Sequence, residues 1–141
     1  MKANAALLAP VVALAAWTMI VWAWMYATRI PAILRAKMVL DPAAPRGEQM
    51  AQLPARVRWK ADNYNHLMEQ PTVFYAVAVV LALIDGPGSI ELALAWAYVT
   101  LRIVHSVFQA LVNVIQVRFS LFFLGSLVLV AMIVRAAGHL L

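Results

Sequence analysis

Residues 3–28 read ANAALLAPVVALAAWTMIVWAWMYAT, a run without one charged side chain. A helix rising 1.5 Å per residue over this length crosses the ~30 Å of hydrocarbon in a bilayer. The stretch therefore predicts a membrane span. Lys2 with the apolar run and Ala13-Leu14-Ala15 also fits a secretory signal peptide. Trp17 to Tyr26, however, stays apolar beyond any cleavage point, and Trp22, Trp24 and Tyr26 stand where an interfacial aromatic belt would. The run is expected to be retained.

Working outward, the whole chain agrees. Its 141 residues are 65% hydrophobic and 12% charged, and the mean hydropathy is +0.85, far above the roughly 45–50% apolar content of a soluble domain. A water-soluble single-core domain and a disordered chain are both excluded. The length allows one domain, 1–141, of about four spanning helices and one substantial loop. Because cysteine is absent, disulfides, thiolate-zinc sites and cysteine nucleophiles drop out, and any sulfur chemistry must use sulfur carried by another molecule. The net charge of +5 does not point to nucleic acid, since seven of the eleven Lys and Arg residues fall between Arg29 and Lys60, beside the first span. That placement is a juxtamembrane basic loop.

The predicted architecture is all-α, an integral membrane four-helix bundle with spans at about 5–28, 56–84, 90–115 and 119–137. Pro31, Pro42, Pro45, Pro54 and Gly47 interrupt the first connection, so residues 41–52 are expected to loop with at most short helical pieces. A continuous helix is predicted from Arg56 to about Leu83, polar in its first half, with a bend near Pro71, which removes a backbone donor and frees the carbonyl of Leu67. Asp85-Gly86-Pro87-Gly88-Ser89 reads as a tight turn with Ser89 as N-cap and Glu91 in the first helical turn. A short connection is expected at residues 116–120, around Arg118. Basic residues concentrate in the first and third connections, so both termini should lie outside the cytoplasm.

An ionisable side chain at mid-bilayer costs about 2.5–3.5 kcal/mol on insertion scales, so those that occur within spans need a reason. Tyr98, Arg102, His105, Gln109, Asn113 and Gln116 share one stripe at helical spacing, as do Arg58, Asp62, Asn65 and Glu69. Arg102 lies ~16 Å along the helix from Glu91, and Glu69 is the expected partner for Arg102 or His105. Interhelical hydrogen bonding explains one such pair well. A polar cavity near the cytoplasmic interface explains their number better, and their mixed sign suits a zwitterionic or multiply charged ligand. His66, Glu69 and His105 also permit a metal set, but no repeat of the motif and no second carboxylate supports it, and no metal is expected. A proton relay through Glu69 and His105 is a further alternative. Neither a phosphate-binding glycine loop nor a Ser-His-Asp arrangement is present.

The run DNYNHLMEQPTVFY at 62–75, followed by Arg102-Ile103-Val104-His105-Ser106 and Arg118-Phe119, resembles the MAPEG family, the membrane-associated proteins in eicosanoid and glutathione metabolism, in a bacterial branch. The resemblance implies a homotrimer of four-helix bundles in the inner membrane, with glutathione as cofactor between neighbouring subunits near the cytoplasmic end. It implies that Glu69 meets the glutathione amine and that Arg58, Asn65, His66, Arg102, His105 and Gln109 line the site. Arg118 would be catalytic, its guanidinium favouring an anionic sulfur and lowering the thiol pKa. The sequence departs from the family pattern where Asn65 stands four rather than three residues before Glu69, where Gln109 replaces a tyrosine, and where Asp62 replaces an arginine. The implied activity is a glutathione-dependent transferase or peroxidase acting on a lipophilic small-molecule substrate. The competing reading is a non-catalytic membrane protein with a structural or partner-binding role.

Overall fold

Leu8–Arg35 forms α1, preceded by a 3-10 turn at Ala5–Leu7. In this computed structural model, which describes residues 4–45, 47–84 and 88–141, Glu48–Ala51 (α2), Ala55–Leu67 (α3), Pro71–Leu83 (α4), Ser89–Leu111 (α5) and Ile115–Leu140 (α6) follow in order. No strand occurs among the described residues. Four segments, Ala5–Arg35, Ala55–Leu83, Ser89–Leu111 and Ile115–Leu140, are long and apolar enough to cross a membrane. A helix answers every backbone donor and acceptor within its own segment, which hydrocarbon requires.

The first span turns one stripe inward: Pro10, Leu14, Thr18, Val21 and Met25 are buried at intervals of three and four. The helix continues past Thr28 to Arg35, carrying Arg29 and Pro31. At ~42 Å it exceeds the hydrocarbon thickness, so its last turns reach the interfacial layer, where charged residues remain helical at little cost. Residues 41–45 and 47–52 form the expected loop with only the one-turn α2, which begins after Gly47 at φ +88°, a left-handed conformation that glycine adopts freely.

The second span is broken rather than merely bent. Met68, Glu69 and Gln70 separate α3 from α4, with Pro71 opening the second piece. Proline has no N–H for the Leu67 carbonyl, and the chain re-enters a helix through short-range bonds from Thr72 to Glu69 and from Val73 to Gln70. Side chains secure this break: Gln70 donates to Ser126 Oγ at 2.7 Å, and Tyr98 Oη donates to Gln70 Oε1 at 3.3 Å. Phe74 stacks on Tyr98 with ring centroids 4.6 Å apart, placing an aromatic pair in the core directly beyond the break. Leu14, Val21, Ala78, Leu81, Ala95 and Met132 complete that core.

The third connection lies earlier than expected. α5 ends at Leu111, the N–H groups of Val112 and Asn113 both bond to the Phe108 carbonyl, and Asn113 sits at φ +57°. Asparagine tolerates the left-handed region that terminates helices. The link is 112–114, so Gln116 and Arg118 belong to α6, and Asn113 and Gln116 leave the α5 stripe. Residues 85–87 of the expected tight turn lie outside the described residues; Gly88, not Ser89, takes the N-cap position, and the Glu91 carboxylate accepts its N–H at 2.7 Å. The other oxygen of Glu91 accepts from Arg135 at 2.5 Å and meets His139 Nε2 at 3.1 Å, tying the start of α5 to the end of α6.

Candidate functional site

α3 packs between α1 and α5, and α5 packs along α6, so the polar first half of the second span buries one face, with Lys60, Ala61, Asn63 and Leu67, against two other helices. Two hydrogen bonds knit this end together. Ser106 Oγ accepts from Trp17 Nε1 and from Asn63 Nδ2, both at 2.9 Å, joining α1, α3 and α5 at a single hydroxyl.

On the α5–α6 side of α3, His66, His105 and Arg118 converge on a cleft of about 370 Å³ whose other walls are Ile115, Phe119 and Phe122. The rings of His66 and His105 lie 5.0 Å apart, and Phe122 stands 5.2 Å from His66. Three of the predicted site residues thus meet at one place, against an apolar wall contributed by the start of α6. Arg118 Nη1 donates to Asn113 Oδ1 at 2.5 Å, while Arg118 Nε is buried without a partner among the described residues.

Arg102 stands directly behind this cleft. It is only 1% exposed, it donates from Nη2 to the His66 carbonyl at 2.9 Å, and its guanidinium carbon lies 5.7 Å from the Phe122 ring centre, within cation–π range. Its Nε and Nη1 have no partner among the described residues. The expected pairing of Glu69 with Arg102 or His105 is not formed within one chain. Glu69 Oε2 instead meets His66 Nδ1 at 2.8 Å, and the carboxylate is largely exposed. The reason is orientation: the stripe of Arg58, Asp62 and Asn65 lies on the side of α3 away from this cleft, and Glu69 stands in the break between α3 and α4.

The remaining candidates separate. Arg58 and Asn65 line a second cleft of about 470 Å³ with Tyr26, Arg29, Met50 and Asp62, on the side of α3 that faces α1 and α2. Gln109 is buried one turn beyond His105 with Oε1 unpartnered, and it does not line the His66–Arg118 cleft. Sequence reading missed Phe119 and Phe122, whose apolar side chains carry no chemical signature, and Trp17, Asn63 and Ser106, whose shared bond is visible only in three dimensions. Asn113 was read as a helix-face residue; the signal that would have found it is an asparagine ending an amphipathic stripe shortly before a new apolar run.

Chemically, the cleft offers a guanidinium, two imidazoles and an apolar wall, with further buried cationic charge behind. Such a site favours an anionic atom at its polar end and a lipophilic group along Phe119 and Phe122. Among the described residues, no group of three or more His, Cys, Asp and Glu side chains is arranged to hold a metal ion. No curated protein and no solved structure matches the chain. The model of the MAPEG family matches residues 7–138, nearly the whole chain. With four membrane-capable segments and a match of that extent, the chain belongs to the MAPEG family of integral membrane proteins.

Proposed function

We propose that this protein is a glutathione-dependent transferase or peroxidase that takes a lipophilic substrate from the bilayer. The observation that carries the reading is the meeting of Arg118, His66 and His105 at the polar end of a cleft walled by Phe119 and Phe122. In this reading glutathione binds with its sulfur toward Arg118, whose guanidinium stabilises the thiolate after the thiol proton passes to solvent. In a transferase the sulfur bonds to an electrophilic carbon and the leaving group departs with the bonding pair. In a peroxidase two thiols reduce one hydroperoxide to an alcohol and water and leave as a disulfide.

The two clefts on opposite sides of α3 support a homotrimer in which the site is completed between subunits. Arg58, Asn65 and Arg29 of one copy would then supply cation and amide contacts to a ligand whose sulfur sits at Arg118 of the next, and exposed Glu69 would be free to meet an ammonium group. In this reading the protein sits in an inner membrane, and the basic first loop supports an orientation with both termini outside the cytoplasm. The structural alternative is favoured by the Trp17–Ser106–Asn63 junction, which is interhelical bonding alone. It gives no role to the unpartnered donors of Arg102 and Arg118.

Glutathione titrated into the detergent-purified protein is expected to bind in calorimetry and to raise an ultraviolet thiolate band. Arg118→Ala is expected to abolish the band while leaving measurable binding. A protein that neither binds glutathione nor shows the band overturns the proposal.

A further inference from the structure

We propose that Asn113 is a positioning residue that fixes the orientation of the Arg118 guanidinium in the cleft. This inference rests on the reading of Arg118 as the thiolate-stabilising group. The link between α5 and α6 is only residues 112–114, and Asn113 is held in it by its own backbone, with φ +57° and its N–H on the Phe108 carbonyl. A side chain on so constrained a residue has little freedom, and its Oδ1 accepts from Arg118 Nη1 at 2.5 Å.

The choice of nitrogen matters. A guanidinium presents two hydrogen atoms in parallel along the edge formed by Nε and Nη2, one of the two edges suited to an anion. In Arg118 the bond to Asn113 uses Nη1, which leaves the edge of Nε and Nη2 without a bond, and the buried Nε has no acceptor among the described residues. Asn113 therefore holds the group from one side and leaves that edge unpartnered, with the buried Nε still lacking an acceptor. An arginine so held has lost its rotamer freedom before a ligand arrives, so the ordering cost is not charged to binding or to the reaction.

A purely structural role for Asn113, closing α5 in the left-handed conformation, is separable from this one. Glycine adopts φ +57° at least as readily as asparagine and carries no acceptor. Asn113→Gly thus keeps the turn and removes only the hydrogen bond, and its thermal midpoint should match that of the unsubstituted chain. With glutathione present at neutral pH, Asn113→Gly is expected to weaken the ultraviolet thiolate band about ten-fold, with a much smaller change in calorimetric affinity. A band of unchanged intensity in Asn113→Gly, seen beside a normal band in the unsubstituted protein, overturns the inference and leaves the functional proposal standing.

A second measurement needs no ligand. In arginine-labelled protein, nitrogen NMR is expected to report slow rotation of the Arg118 guanidinium in the unsubstituted chain and in Asn113→Asp, which retains an acceptor, and fast rotation in Asn113→Gly. If no thiolate band forms in any protein, the functional proposal fails and this measurement alone decides. Equal rotation rates in the unsubstituted chain and Asn113→Gly then overturn the inference.

Discussion

At the scale of single residues, placement rather than type separates the polar side chains. Glu69 and Arg102 were both expected inside the bundle, yet Glu69 is largely exposed beside His66 and Arg102 is sealed. An exposed pair of this kind contributes about 0–1 kcal/mol. Glu69→Gln is therefore expected to leave the thermal midpoint in detergent nearly unchanged. If Glu69 meets the glutathione amine, the same variant loses a charge-assisted hydrogen bond and weakens calorimetric affinity about ten-fold or more. Ser106 is the opposite case. It answers two buried donors at once, and Ser106→Ala strands both Trp17 Nε1 and Asn63 Nδ2, a loss of roughly 1–3 kcal/mol for each. Thermal unfolding followed by circular dichroism should show the drop, and Trp17→Phe, which removes one donor with its need, should cost less. Helical spacing made Arg102, His105 and Glu69 stand out as exceptions in apolar company. It could not reveal that Ser106 matters, because a serine in a membrane helix is unremarkable until its neighbours are known.

At the scale of elements, the apolar stretches correspond to four helices long enough to cross a membrane, and the helix ends depart from them where backbone chemistry rather than hydropathy decides. α1 overruns its apolar stretch because interfacial residues remain helical; α5 stops early because Asn113 takes a left-handed conformation that no hydrophobic pattern encodes. Pro71 announced a disturbance in the second span, but whether a helix bends or breaks depends on what catches the loose ends, here Gln70 with Ser126 and Tyr98. The opposite end of the bundle is held differently. Glu91, with its side chain 2% exposed, joins Arg135, His139 and the Gly88 N–H. Glu91→Ala leaves the partly exposed Arg135 without its partner and frees the last turns of α6, at an expected cost of about 1.5–3 kcal/mol. A fall in the detergent unfolding midpoint, with the proposed glutathione binding at the far end unaffected in the folded fraction, is the outcome to look for.

At the scale of the whole molecule, the apolar majority builds the outside as well as the core. On α6, Phe119, Leu127, Val130 and Val134 are each more than half exposed, which suits a helix that meets lipid or another apolar surface. The distribution of charge carries a prediction of its own. Reporter fusions at the C-terminus are expected to be active when the reporter works only outside the cytoplasm and silent when it works only inside; the reverse pattern would invert the bundle. The general site region was legible in the sequence because charge is so scarce here, whereas its division into two clefts was not, since that depends on which side of α3 each residue faces.

The break at 68–70 has one more consequence. The carbonyl of His66, which a continuous helix would bind internally, is answered by Arg102 Nη2, so an arginine stands in for a missing turn of backbone. The two positions should then behave as one unit under mutation. A Pro71→Ala exchange that lets the helix close would make Arg102 dispensable, and the double variant Pro71→Ala/Arg102→Met should lose less stability than the two single variants together. Drift at either site would accordingly be tolerated only in company with the other, which makes this proline and this arginine a coupled pair separated by about thirty residues of chain.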